Sequence, residues 1–220
     1  MHLRLNTMKM PDTKRQIHLG FTPDPFPEGT HICHLYNDDD LLRRFLHAYI
    51  TSGIAEGELV EHFPNVPTSE DLERVVAELG IRRFVEQGPG KFVMQPVLEW
   101  CCWDGKFDPD RHFEHIRDIY RRSQVCGYAG ARIAAEMSSA LPGMPGSERL
   151  VEFEARLNNL VKDVPITIHC CYDTRKFDGK TLFDVLNVHP IIVAQGQVMR
   201  NPFYVTPEQF FEQGNDTSQQ

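Results

Sequence analysis

The feature that most limits how this chain can fold is a repeated alternation. Short apolar runs take turns with longer segments whose apolar residues recur at helical spacing. Residues 31–36, 58–63, 92–98, 130–137 and 166–172 read as strands. Asn37 or Asp38 is placed to cap the first helix, in which Leu41, Leu42, Phe45, Leu46, Tyr49 and Ile50 form one stripe and Gly53 marks the expected stop. A second helix starts at Thr68 and runs to Gly80, and a third spans residues 109–126. A fourth spans 147–161, with Leu150, Val151, Glu154, Leu157 and Leu160 in register, and a short one covers 181–187. Residues 191–199 fold back as a hairpin through Gln195-Gly196. Strand–helix repetition of this kind calls for an α/β fold: a mostly parallel sheet with helices on both faces, closed at one edge by the antiparallel C-terminal hairpin.

Residues 30–212 read as one domain, long enough to bury a proper core. Residues 1–29, with Pro11, Pro23, Pro25 and Pro27, suit an extended N-terminal arm, and residues 213–220 a flexible tail. The formal charge of −8 argues against direct nucleic-acid binding, because Arg43-Arg44, Arg82-Arg83 and Arg121-Arg122 fall on separate elements and make no basic stripe. No apolar run approaches the roughly 20 residues that cross a bilayer, so no membrane partner is expected. Met1 to Met10 has no apolar core of a secretory signal, and six cysteines without one point to reduced thiols and a cytoplasmic location.

Open α/β sheets bind their ligands at the carboxyl ends of the strands. Here those ends present Tyr36, His62, the stretch from Trp100 to Trp103, Glu136, Tyr172 and Asp173. Glu136 is the sharpest of them. It closes an otherwise apolar strand, where a carboxylate needs either a ligand or a structural partner such as Arg132 or a strand-end arginine. Asp173 is either a second anchor or the cap of the turn before Thr174-Arg175. Trp100 and Trp103 flank a loop with Gly105 and serve either the core or the apolar wall of a pocket.

Histidines and cysteines at 31, 33, 34, 169, 170 and 171 raise the question of a metal or haem. Strand alternation sends His31 and Cys33 to one face and His34 to the other, so they do not all converge. The pairs Cys101-Cys102 and Cys170-Cys171 lack the spacing of a ligand motif, so no metal ligand is assigned and any cofactor is unknown. His189-Pro190 reads as the start of the hairpin, its imidazole satisfied by backbone. Neither a Gly-x-x-x-x-Gly-Lys-Ser/Thr loop nor a Gly-x-Gly-x-x-Gly motif occurs.

Several short motifs, in order, resemble one family. They are His31-Ile-Cys-His-Leu-Tyr36, Gly53 with Gly57-Glu58, Gly105-Lys-Phe-Asp-Pro-Asp110, Arg132 with Glu136-Met137, Phe153-Glu154-Ala-Arg-Leu-Asn158, Cys170-Cys-Tyr-Asp173, His189-Pro190 and Asn201-Pro-Phe-Tyr204. The chain is similar over residues 31–210 to the MEDS family, sensory domains of methanogen and methylotroph regulators. The resemblance implies a RecA-like core, close to the circadian-clock ATPase type, that has lost its phosphate loop. Residues 41–63 are similar to the helix and strand after such a loop, while residues 35–42 contain no glycine or lysine. It also implies a sensor of hydrocarbon-derived or C1 compounds that feeds a transcription regulator or kinase. Ala135 and Ser139 stand where the family often has glycine and tryptophan, so the ligand's identity is not carried over.

The expectation is a non-enzymatic small-molecule sensory domain with its pocket at the strand ends. With no room for a DNA-binding or kinase domain, it would signal through a partner regulator or kinase, or through self-association as a homodimer. The rivals are a protein-interaction module without a ligand, and a hydrolase or transferase with Glu136 as general base.

Overall fold

In the computed structural model, which describes residues 14–102, 104–140 and 143–216, the chain enters through an antiparallel ribbon of β1 (Gln16–His18) and β2 (Pro25–Pro27). The described part of the arm is extended, as its prolines require, but it is not loose. Ile17 and Leu19 are fully buried, and Phe21 packs on Phe45 at 4.9 Å between ring centroids.

Seven further strands form the main sheet: β3 (His31–Tyr36), β4 (Leu59–Phe63), β5 (Lys91–Met94), β6 (Ala131–Glu136), β7 (Thr167–Asp173), β8 (Ile191–Ala194) and β9 (Gln197–Arg200). Their order is β5-β4-β6-β7-β3-β8-β9, parallel throughout except for β9, which pairs antiparallel with β8 at the edge. The α/β fold and its C-terminal hairpin are therefore as the sequence implies. The hairpin turns through Gln195 (φ 49°) and Gly196 (φ 78°), the left-handed pair that matches the twist of two-residue β-turns.

Among the described residues, eight α-helices accompany the sheet: α1 (Asp39–Ala55), α2 (Leu72–Leu79), α3 (Arg82–Gln87), α4 (Val97–Cys101), α5 (Pro109–Val125), α6 (Leu150–Asp163), α7 (Gly179–Asn187) and α8 (Pro207–Asp216). Two cores result. Leu42, Leu46, Tyr49 and Ile50 of α1 and Leu79 of α2 cover one face. Val97 of α4, Phe113 and Ile116 of α5, Phe153 and Leu157 of α6 and Val185 of α7 cover the other. Strand alternation divides the sheet's own side chains: Ile32, Tyr36, Val60, Ala134 and Cys171 join the α1 layer. Cys33, Phe63, Ile133, Cys170 and Tyr172 join the opposite one.

Three local expectations are corrected. Gly53 does not stop the first helix, which continues to Ala55 and turns out at Gly57 (φ 76°). Gly53 is small because a Cβ there would lie 2.5 Å from Nε of the buried Arg132. The strand expected over 92–98 ends at Met94, since Pro96 has no N–H for the ladder and instead precedes α4 with φ −55°. Trp100 is consequently on a helix rather than in a loop. The expected tail is helical as far as Asp216, and residues 217–220 lie outside the described residues.

Candidate functional site

The carboxyl ends of β3, β4, β6 and β7 open into a cleft of ≈340 Å³ beneath α1 and α2. It gathers Tyr36, His62, Glu136 and Asp173, and closes with Asn65 from the loop after β4 and Lys176 from the turn after β7. Register explains the convergence. Tyr36 pairs with Asp173 across β3 and β7, while His62 and Glu136 occupy positions of the same parity on β4 and β6 as the α1-facing Val60 and Ala134. All four side chains therefore emerge on the α1 side of the sheet.

Glu136 is half-buried, and its carboxylate has no ion-pair partner among the described residues. Arg132, the partner considered from sequence, is occupied elsewhere: it lies fully buried at the amino end of β6, ion-paired to Glu58 and bonded to the carbonyls of Tyr49 (3.0 Å) and His18 (3.2 Å). Around Glu136 stand the Tyr36 hydroxyl at 3.5 Å, the Asn65 backbone N–H and, further off, Lys176. Burial pushes the Glu136 carboxyl above its ordinary pKa, and these partners only moderate the rise.

His62 donates through Nδ1 to the Ala134 carbonyl (3.0 Å), while its Nε2 makes no hydrogen bond within the described residues. An imidazole facing a carbonyl through Nδ1 carries its hydrogen there, so Nε2 is left as an acceptor. Burial pushes the ring's pKa down to about 4 and keeps it neutral at pH 7. Asp173 is in a different condition. It grips Arg175 through Nε (2.7 Å), Nη2 (2.9 Å) and the backbone N–H (3.0 Å), and Arg175 reaches on to Asp39 at 2.5 Å. Burial raises the Asp173 carboxyl, but the Arg175 contacts outweigh it and hold the group below the usual range. Asp173 thus fastens the strand-end turn and forms part of the wall, with Glu136 left as the under-partnered carboxylate.

The other expected residues lie elsewhere. Tyr172 follows the parity opposite to Asp173, is fully buried on the other face and donates a hydrogen bond from its hydroxyl to Glu154. Trp100 stacks on Phe63 with ring centroids 4.0 Å apart and edges a ≈20 Å³ apolar cavity among Val97, Ile116, Phe153 and Cys170, across the sheet from the cleft. Trp103 lies outside the described residues. Two clusters of metal-capable side chains also form, one on each face: His31, Glu154, Cys170 and His189, and His34, His169 and Cys171. Alternation separates His31 from His34 as expected, but Glu154 and His189 join from other elements. The available signal was Glu154 itself, a carboxylate in register with the apolar stripe of its helix.

The described residues include no helix long and apolar enough to cross a membrane. A family model described as the MEthanogen/methylotroph, DcmR Sensory domain (MEDS) matches residues 30–190. Among solved structures, a KaiC-like protein from the hyperthermophilic archaeon Pyrococcus horikoshii superposes with a TM-score of 0.55 at 16% identity, covering 81% of this chain and 79% of that one. The flagellar accessory protein FlaH from Methanocaldococcus jannaschii gives 0.50 at 14% identity, with 83% of each chain covered. An ATPase from the type III secretion system of pathogenic bacteria gives 0.52 at 9%, over 90% of this chain and 66% of that one. At these identities the likeness establishes a RecA/KaiC-like fold. No curated protein matches the sequence.

Proposed function

This chain belongs to the MEDS family of sensory domains, and from that premise we propose that it is a non-enzymatic receptor for a small polar C1-type compound held in the strand-end cleft. The observation that carries the reading is Glu136: a half-buried carboxylate without an ion-pair partner, beside the Tyr36 hydroxyl and the free Nε2 of His62. Such a group is costly until something supplies a cation or a donor. The lining carries Asp39, Arg43, Arg74, Glu78, Arg175 and Lys176 besides, which favours a compound with a donor or cationic head over a bare hydrocarbon.

Two features support binding without catalysis. No serine, threonine or cysteine is among the described residues lining the cleft, and burial raises the pKa of the Tyr36 phenol, the hydroxyl that does face Glu136. Asp38 caps α1 by accepting from the backbone N–H groups of Asp40 (2.9 Å) and Leu41 (3.0 Å), with Asp39 alongside, where a phosphate would need those donors. In this reading the domain works in the cytoplasm, and its signal leaves through a partner regulator or kinase, or through a second copy of the chain.

Two measurements test the proposal. Native mass spectrometry of protein from its own host is expected to show a retained small molecule. A thermal-shift screen with methylamines, methanol and other one-carbon compounds is expected to give at least one stabilising hit that Glu136→Gln abolishes. A screen with no hit, and protein without a retained molecule, would refute the receptor reading.

A further inference from the structure

On the opposite face of the sheet, and independently of the cleft, four buried side chains from four parts of the chain meet. They are His31 of β3, Glu154 of α6, Cys170 of β7 and His189 of the turn between α7 and β8, with donor atoms all within 4.8 Å of one another. We propose that they form a tetrahedral site for one divalent metal ion of the zinc class. The spacing fits. His31 Nε2 is 3.1 Å and His189 Nε2 3.4 Å from Glu154 Oε2, and Cys170 Sγ is 3.6 Å from His31 Nε2 and 3.7 Å from Glu154 Oε2. An ion with nitrogen and oxygen ligands at about 2.0–2.1 Å and sulfur at about 2.3 Å holds its tetrahedral ligands roughly 3.3–3.6 Å apart.

The surroundings orient each ligand toward the common centre. His31 Nδ1 meets Asn158 Oδ1 at 3.2 Å, and that amide is fixed by its Nδ2 donating to the Val188 carbonyl at 2.7 Å. His189 Nδ1 donates to the Val185 carbonyl at 2.6 Å, and its Nε2 makes no hydrogen bond despite its nearness to Glu154. Both rings therefore carry hydrogen on the outer nitrogen and turn a lone pair inward. The Tyr172 hydroxyl donates to Glu154 Oε1, which leaves Oε2 for the centre. Two inward imidazole nitrogens and the Cys170 thiol, which donates toward Glu154 Oε2, converge on one carboxylate oxygen, an arrangement that a divalent cation at their centre would complete. No lysine or arginine among the described residues is within ion-pair distance of Glu154.

A divalent ion settles the charge. On binding, Cys170 releases its thiol proton to solvent, the carboxylate is already ionised and the imidazoles stay neutral, so the buried site sums to zero. All four positions come from the protein, the closed arrangement of a structural site, here tying β3 and β7 to α6 and to the entry of β8. The cluster on the other face is poorer. It has no carboxylate, His34 Nδ1 points directly at His169 Nε2 (3.2 Å), and the rings' remaining nitrogens lack partners.

Untagged full-length protein, depleted with a chelator under reducing conditions and titrated with cobalt(II), tests the assignment. One equivalent is expected to bring visible bands of tetrahedral intensity and a thiolate-to-cobalt charge-transfer band, both lost when zinc is added. Zinc is expected to raise the melting temperature of the apoprotein, or to restore the fold if depletion unfolds it. The charge-transfer band is expected to vanish in Cys170→Ser and persist in Cys171→Ser, and Tyr172→Phe to weaken metal affinity roughly 10–100-fold. If Cys170→Ser does not fold, the wild-type titration and Tyr172→Phe decide. A wild-type apoprotein with no tetrahedral cobalt spectrum and no response to zinc would overturn the proposal, as would a charge-transfer band that follows Cys171 instead.

Discussion

At the scale of single residues, neighbours in sequence part company in space. Tyr172 and Asp173 look like one motif at a strand end, yet the pleat sends the first into the α6-side core and the second to the cleft. Counting parity from the apolar positions of each strand would have separated them. Glu136 was legible because a carboxylate closing an apolar strand is out of place. What sequence left open was its partner, since Arg132 on the same strand is claimed by Glu58, a residue of the neighbouring chain segment. Burial lifts the Glu136 pKa above its ordinary 4.5, so the empty fold holds this proton more tightly than the unfolded chain does. That contribution favours folding below pH 4.5 and is lost as the pH rises through the folded-state value. Glu136→Gln removes the dependence. Urea denaturation of the ligand-free protein is expected to put the variant within about 0.5 kcal/mol of wild type at acid pH and above it near pH 7. A loss of roughly 3–5 kcal/mol at neutral pH would instead assign Glu136 to a structural ion pair.

At the scale of elements, the seven strands of the main sheet and five of the helices were readable from periodicity, while α3, α4, α8 and the β1–β2 ribbon were not; two of the misplaced boundaries trace to Pro96 and Gly53. Pro96 ends β5 early and starts α4, which a run of apolar residues through Leu98 conceals. Gly53 reads as a helix stop, but its role is to let α1 pass over Arg132. In an exposed helix interior, glycine to alanine gains up to about 1 kcal/mol. Here the added methyl would lie 2.5 Å from Arg132 Nε and 2.8 Å from Val60 Cγ2. The guanidinium has little room to yield, being held by Glu58 and by the carbonyls of Tyr49 and His18. Gly53→Ala is therefore expected to lower stability by about 1–3 kcal/mol in chemical denaturation, the sign opposite to helix propensity. A stabilised variant would show that α1 does not pack this tightly. Glu58→Gln, which leaves the Arg132 charge under-compensated in the interior, is expected to cost roughly 3–5 kcal/mol, although Glu56 at 3.7 Å and Arg15 beside Glu58 share the network.

At the scale of the whole molecule, a fold shared with ATPases has been given a different strand end. Alternation of elements conveyed the parallel sheet, and the absent glycine-rich motif conveyed the missing phosphate cradle. What fills its place was legible in part: Asn37 or Asp38 was placed to cap the helix, but which of them takes the amides depends on how a two-residue connection meets it. Between β3 and α1 there are only Asn37 and Asp38, and the Asp38 carboxylate takes the N–H groups of Asp40 and Leu41 for itself. Asp39 and Asp40 add negative charge to the first turn, and the cations beside them are committed, Arg43 to Asp40 and Arg175 to Asp39 and Asp173. A helix N-terminus attracts phosphate through free amides and a positive end, and both are spent here on side-chain carboxylates. Calorimetric titration with Mg-ATP is accordingly expected to show no saturable heat, with any affinity weaker than about 1 mM, some 4 kcal/mol of standard binding free energy. Screening by salt would not rescue it, because the competing carboxylate makes direct hydrogen bonds to the amides. A dissociation constant in the low micromolar range would mean that the Asp38 cap opens on nucleotide binding. The cleft would then have to be read as a nucleotide site entered from α1 rather than a receptor for a small polar compound.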